Sequence, residues 1–120
     1  MKKAMVMIAL ILSVMLMATS SFASFACTGK VKMVAVGWSG DVSAWMDYRQ
    51  SWVLLCNLHN EMGGVKTETC KKWHDDASVA MVTGKSFQAG YGNNVTGYTC
   101  TNLPTWGADY IPSWTILYSN

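Results

Sequence analysis

Residues 67–84 read TETCKKWHDDASVAMVTG, a stretch of helical period set between runs that read as strands. Cys70, Trp73, Ala77, Ala80 and Met81 recur at steps of three and four, the spacing of one apolar helical face. Thr67 is a residue type that caps a helix N-terminus, and Glu68 suits the positive end of the helix dipole. Lys71 with Asp75 and Lys72 with Asp76 form i,i+4 pairs on the outer side. Gly84 ends the helix, because the residue after the last turn commonly takes a left-handed conformation. The apolar face predicts that Trp73 and Met81 enter the core.

Both flanks read as strands. Residues 30–36 are β-branched and apolar, and Gly37-Trp38-Ser39-Gly40-Asp41 supplies turn chemistry. Residues 42–48 alternate, with Val42, Ala44, Met46 and Tyr48 facing one way and Ser43, Trp45 and Asp47 the other. After a turn at Arg49-Gln50-Ser51, residues 52–58 form a third strand. Strict alternation puts Trp52, Leu54, Cys56 and Leu58 on its core face. Gly63-Gly64 breaks the chain before the helix. Beyond the helix, residues 86–91 place Phe87, Ala89 and Tyr91 on one face. A long loop, 92–112, precedes a fifth strand at 113–118. The fold class is therefore mainly β with one helix, in the order strand, strand, strand, helix, strand, strand. That is the order of an OB-fold, a small five-stranded Greek-key barrel. An open α+β sheet with one covering helix fits the same order.

The N-terminus has the parts of a secretory signal: Lys2 and Lys3, an apolar run over residues 4–18, and a small-residue tail. The run is shorter than the ~20 residues that span a bilayer. Ser21-Phe22-Ala23 and Ser24-Phe25-Ala26 both carry small residues at −3 and −1, so cleavage follows Ala23 or Ala26. The expected organisation is a signal over 1–26 and a single domain over 27–120. A lipoprotein would place its anchor on Cys27, but Ser24 stands where such signals carry an apolar residue. A periplasmic or secreted location is expected, with no membrane attachment after cleavage.

Cleavage removes Lys2 and Lys3 and leaves seven basic residues against seven acidic ones. A balanced chain has no basic stripe for phosphates, which argues against nucleic acid. All four cysteines lie beyond the signal, and an even count in an exported domain reads as two disulfides. A metal site is the weaker reading, since only Cys70 and His74 have ligand spacing. An OB-type order brings the helix start near the end of strand three and returns the long loop beside strand one. The expected bridges are therefore Cys56–Cys70 and Cys27–Cys100.

His59 sits in a loop, and His74 lies on the polar helix face beside Asp75 and Asp76. Neither accompanies a recognisable nucleophile, metal or phosphate motif, so no catalytic residue and no cofactor is assigned. The aromatics are the better candidates. Trp45 lies on the polar side of its strand, and Trp38 and Trp106 lie in loops. Such rings suit sugar stacking or a protein interface. The plainer role for Trp106 is packing of the long loop over one end of the sheet.

Several segments carry a resemblance: Cys27-Thr28-Gly29-Lys30-Val31, Cys56-Asn57-Leu58, Glu68-Thr69-Cys70-Lys71-Lys72-Trp73, Thr83-Gly84-Lys85 and Leu103-Pro104-Thr105-Trp106. Together they resemble a family of short exported proteins of Gram-negative bacteria that carries no established activity. More distantly, the helix, its Thr83-Gly84-Lys85 exit and the following strand are similar to the OB-fold B subunits of AB-type toxins, the subtilase cytotoxin group above all. That resemblance implies a glycan-binding subunit and, by analogy, a homo-pentamer. The reading is an exported, non-enzymatic binding or assembly module with a glycan or protein ligand. The alternative is a small secreted inhibitor of an enzyme, of the lysozyme-inhibitor kind. A hydrolase using His59 or His74 comes third.

Overall fold

The structure, a computed structural model, describes residues 24–92, 95 and 97–119. Residues 1–23 of the expected signal lie outside the described residues, whereas Ser24, Phe25 and Ala26 lie within them. Strands β1 (Phe25–Val36), β2 (Asp41–Met46) and β3 (Ser51–Asn57) precede helix α1 (Thr67–Thr83). Strands β4 (Ser86–Tyr91) and β5 (Trp114–Leu117) follow, and the loop between them holds a short 3-10 helix, Ala108–Tyr110. All five strands join one antiparallel sheet in the order β3-β2-β1-β4-β5. The sheet is open, with β3 and β5 as its edges.

Strand β1 is the spine. Its first half pairs with β4, from Phe25↔Tyr91 to Lys30↔Ser86. Its second half pairs with β2, from Val31↔Met46 to Val36↔Val42. The register shifts between Val31 and Met33, the kind of irregularity that bends a strand. The sequence places the start of this strand at residue 30, five residues too late. Phe25 and Ala26 read as the tail of the signal and Gly29 is a residue type depleted in strands, but pairing with β4 draws the whole segment into the sheet.

Helix α1 packs on β1 and also reaches both edge strands. Cys70, Trp73, Ala77 and Ala80 are buried against Val42, Ala44, Met46, Val53, Leu55 and Phe87. Met81 does not join them and is 39% exposed. It follows Ala80 directly, about 100° further round the helix, and falls off the buried stripe. Thr67 is not the cap either. Lys66 holds the extended N-cap position without a side-chain hydrogen bond, so the helix begins one residue earlier than expected. Gly84 adopts φ 73° and donates its N–H to Ala80 O, as a C-terminal glycine should. The Lys30 ammonium donates to Gly84 O at 2.6 Å, placing a cation at the negative end of the helix. Lys72 pairs with Asp76 at 3.3 Å. Lys71 and Asp75 form no such pair; Asp75 instead lies 3.5 Å from His74 Nδ1.

A second cluster forms under the long loop from Cys27, Ala89, Tyr91, Val95 and Leu103, with Phe25, Tyr98 and Tyr110 at its margin. The two disulfides fall where the element order puts them. Cys56–Cys70 ties β3 to the first turn of α1, and Cys27–Cys100 ties β1 to the long loop. Two bridges fit an oxidising compartment. Among the described residues, no helix is long and apolar enough to cross a membrane. Tyr48, read as the end of a strand, lies in the turn after β2 and packs against both clusters. Burial pushes its phenol up to about 12, with Asp47 adding to the rise and Arg49 opposing it. Burial raises the Tyr91 phenol as well.

Candidate functional site

The turn between β1 and β2 is tight. Gly37 N–H donates to Asp41 O at 2.8 Å, and Gly40 N–H donates to Gly37 O at 2.9 Å. Gly40 has φ 94°, and a Cβ there would stand 2.8 Å from the His59 ring, so glycine is required twice over. This closure leaves Trp38 at the tip, 99% exposed. A free indole of that size is unusual, since Trp is highly buried on average.

The turn is held from beneath by Asn57, the last residue of β3 and itself buried. Its Nδ2 donates to Asp41 Oδ1 at 2.7 Å and to Ser39 O at 3.1 Å. Its Oδ1 accepts from the backbone N–H groups of His59 at 2.8 Å and Asn60 at 2.9 Å. The amide thus locks the tip turn, the Asp41 carboxylate and the exit from β3 into one unit.

Trp106 arrives from the far end of the chain. The long loop is pinned by the Cys27–Cys100 bridge, by buried Leu103, and by Arg49 Nη2 donating to Thr105 Oγ1 at 2.8 Å. Buried Ile111 anchors its other side. Trp106 is left 62% exposed. The plain packing role does not describe a ring with most of its surface in water.

Trp38 and Trp106 line one cavity of about 330 Å³, together with Trp52, Asp41, Ser39, Ser43 and the end of β1. Among the described residues, Asp41 is the one charged side chain in that lining. Trp45, the third candidate, is half-buried and does not line the cavity. It stands directly across from Trp52, and the rings meet edge to face at 5.6 Å and 88°. Trp45 therefore backs Trp52, a wall of the cavity.

Trp52 is the residue that strict alternation misplaces, since it belongs to the cavity and not to the core. The register explains this. Val42 pairs with Cys56 but Ser43 pairs with Leu54, so Leu55 is an extra residue in β3. One extra residue reverses the alternation, and Trp52 and Cys56 end on opposite faces. The pairing across the hairpin carries the missing signal, because a turn centred on residues 47–50 places Trp52 beside polar-side Trp45.

His59 and His74 also come together, lining a second, shallower depression of about 560 Å³ with Leu58, Lys71 and Asp75. Among the described residues, no group of three or more His, Cys, Asp or Glu is gathered as a metal site requires. No family model, no curated protein and no solved structure matches the chain.

Proposed function

We propose that the protein is an exported, non-enzymatic binding module that takes a neutral glycan into the Trp38–Trp52–Trp106 cavity. The observation that carries this reading is the convergence of two water-exposed indoles, from opposite ends of the domain, on one cavity with a fixed carboxylate. The C–H face of a pyranose stacks on indole. A carboxylate offers about four lone-pair sites, so Asp41 retains acceptors for sugar hydroxyls after accepting from Asn57 Nδ2 and, at 3.4 Å, from Ser39 Oγ. With Asp41 as the charged group in the lining, uncharged sugars are preferred over anionic ones.

The strand order supports an OB-type reading of the sheet. OB-folds bind oligosaccharides and oligonucleotides on the face of strands two and three, between the first and last interstrand loops. Trp52 and Ser43 occupy that face here, Trp38 the first loop and Trp106 the last. This is analogy at the level of fold, and the chemistry of the cavity selects sugar over polyanion. A ring of such domains, like the toxin B subunits, belongs to the same proposal.

Trp38 also supports a second reading. A lone exposed indole on a rigid turn is the kind of anchor that enters a pocket on a protein partner, as an enzyme inhibitor would use it. A glycan array probed with the oxidised domain separates the two. The first reading expects binding to neutral glycans with loss of signal on Trp38→Ala. Silence across the array removes the glycan reading and leaves the protein ligand.

A further inference from the structure

We infer that the signal is cut between Ala23 and Ser24, and not after Ala26. The inference rests on the exported reading. The sequence offers two sites of equal quality, Ser21-Phe22-Ala23 and Ser24-Phe25-Ala26. The fold does not treat them equally. Phe25 and Ala26 are part of β1, pairing with Tyr91 and Gly90 of β4. The Phe25 ring stacks on Tyr91 at 5.0 Å and 20°. Tyr91 is 1% exposed, and Phe25 is part of the cover over its cluster.

A cut after Ala26 would remove that cover and two residues of sheet. It would also turn the backbone nitrogen of Cys27, a residue 2% exposed and paired with Ala89, into a charged ammonium inside the sheet. A cut after Ala23 leaves Ser24, which is exposed and outside β1, as the first residue, with its ammonium in water. The same geometry bears on lipidation. The Cys27 sulfur is bonded to Cys100, so it is not available for a thioether to lipid.

The step is hydrolysis by a membrane signal peptidase. The Ala23 C–Ser24 N bond breaks, water's hydroxyl completes the Ala23 carboxylate, and a proton goes to the Ser24 amine. The test is to express the full chain in a Gram-negative host, recover the oxidised protein, and determine its N-terminus by intact mass and terminal sequencing. A chain beginning Ser24-Phe25-Ala26-Cys27 is the expected result. A chain beginning at Cys27, with or without lipid, overturns the assignment while leaving export intact. An unprocessed chain sinks the assignment and the exported reading together. As a second measurement, oxidised domains starting at Ser24 and at Cys27 are melted side by side. The shorter one should unfold roughly 5 °C or more lower, and equal midpoints would contradict the role given to Phe25.

Discussion

Arg49 Nη2 donates to Thr105 Oγ1 at 2.8 Å, so the turn after β2 grips the long loop one residue before Trp106. The bond spans 56 positions in sequence and fixes where the exposed indole stands. Arg49→Met keeps the aliphatic stem but removes the donor. Ligand affinity should fall about three- to tenfold, while amides of residues 99–107 exchange hydrogen faster. Unchanged exchange and affinity would show that the loop needs no such grip.

Asn57 is the corresponding support for Trp38. It makes four hydrogen bonds from a buried position, two as donor and two as acceptor. Asn57→Leu leaves the Asp41 carboxylate and two backbone N–H groups without this partner. The expected cost is about 2–4 kcal/mol, read from urea unfolding. Asn57→Asp keeps the acceptor but faces Asp41 with a like charge, and should also weaken the fold.

How much of this was legible in the sequence depends on the range of the interaction. The helix could be read because Cys70, Trp73, Ala77 and Ala80 obey a local period, and the structure buries all four. Met81 has the same spacing from Ala77 but sits at the edge of the stripe, where the sheet leaves it 39% exposed. Trp52 was hidden by the extra residue Leu55, and the start of β1 by a pairing with β4 about 60 residues away. The candidate rings Trp38 and Trp106 could be named from their loop positions. That they share a cavity rests on long-range closure, which no local pattern encodes.

Trp73 and Met81 give a direct contrast on one helix. Trp73→Ala should cost on the order of 3–5 kcal/mol, because its indole is buried between helix and sheet. Met81, 39% exposed, lies at the edge of the stripe, and Met81→Ala should cost about 1 kcal/mol or less. Equal effects in urea unfolding would mean that α1 sits on the sheet in a different rotation.

The two disulfides close loops of different length, with sequence separations of 73 and 14. Chain entropy alone makes the longer one worth about 4.5 kcal/mol and the shorter about 3 kcal/mol. Paired Cys→Ala variants should reproduce that order in denaturant. Only loss of Cys27–Cys100 should also reduce ligand binding, since it pins the Trp106 loop.

Alkaline pH should weaken the fold through its buried phenols. Tyr48 in the folded chain holds its proton up to about 12, above the ordinary 10.0. The unfolded chain loses that proton first, so stability is complete below about pH 10 and declines as pH rises toward 12. The Tyr48 contribution is on the order of 2–3 kcal/mol, and the raised Tyr91 acts in the same direction. Tyrosinate absorbance that rises before unfolding, at ordinary phenol pH for every tyrosine, would contradict this.

Calorimetric titration of the oxidised domain with the best neutral oligosaccharide from an array decides whether this cavity holds sugar. The wild-type domain and a Trp38→Ala/Trp106→Ala variant are compared under the same conditions. Both rings are exposed, so the variant should melt close to wild type. The expected result is saturable binding by wild type and a loss of at least a hundredfold, about 2.7 kcal/mol, in the variant. Equal affinity for the sugar in both proteins would place any glycan site elsewhere and contradict the assignment of this cavity.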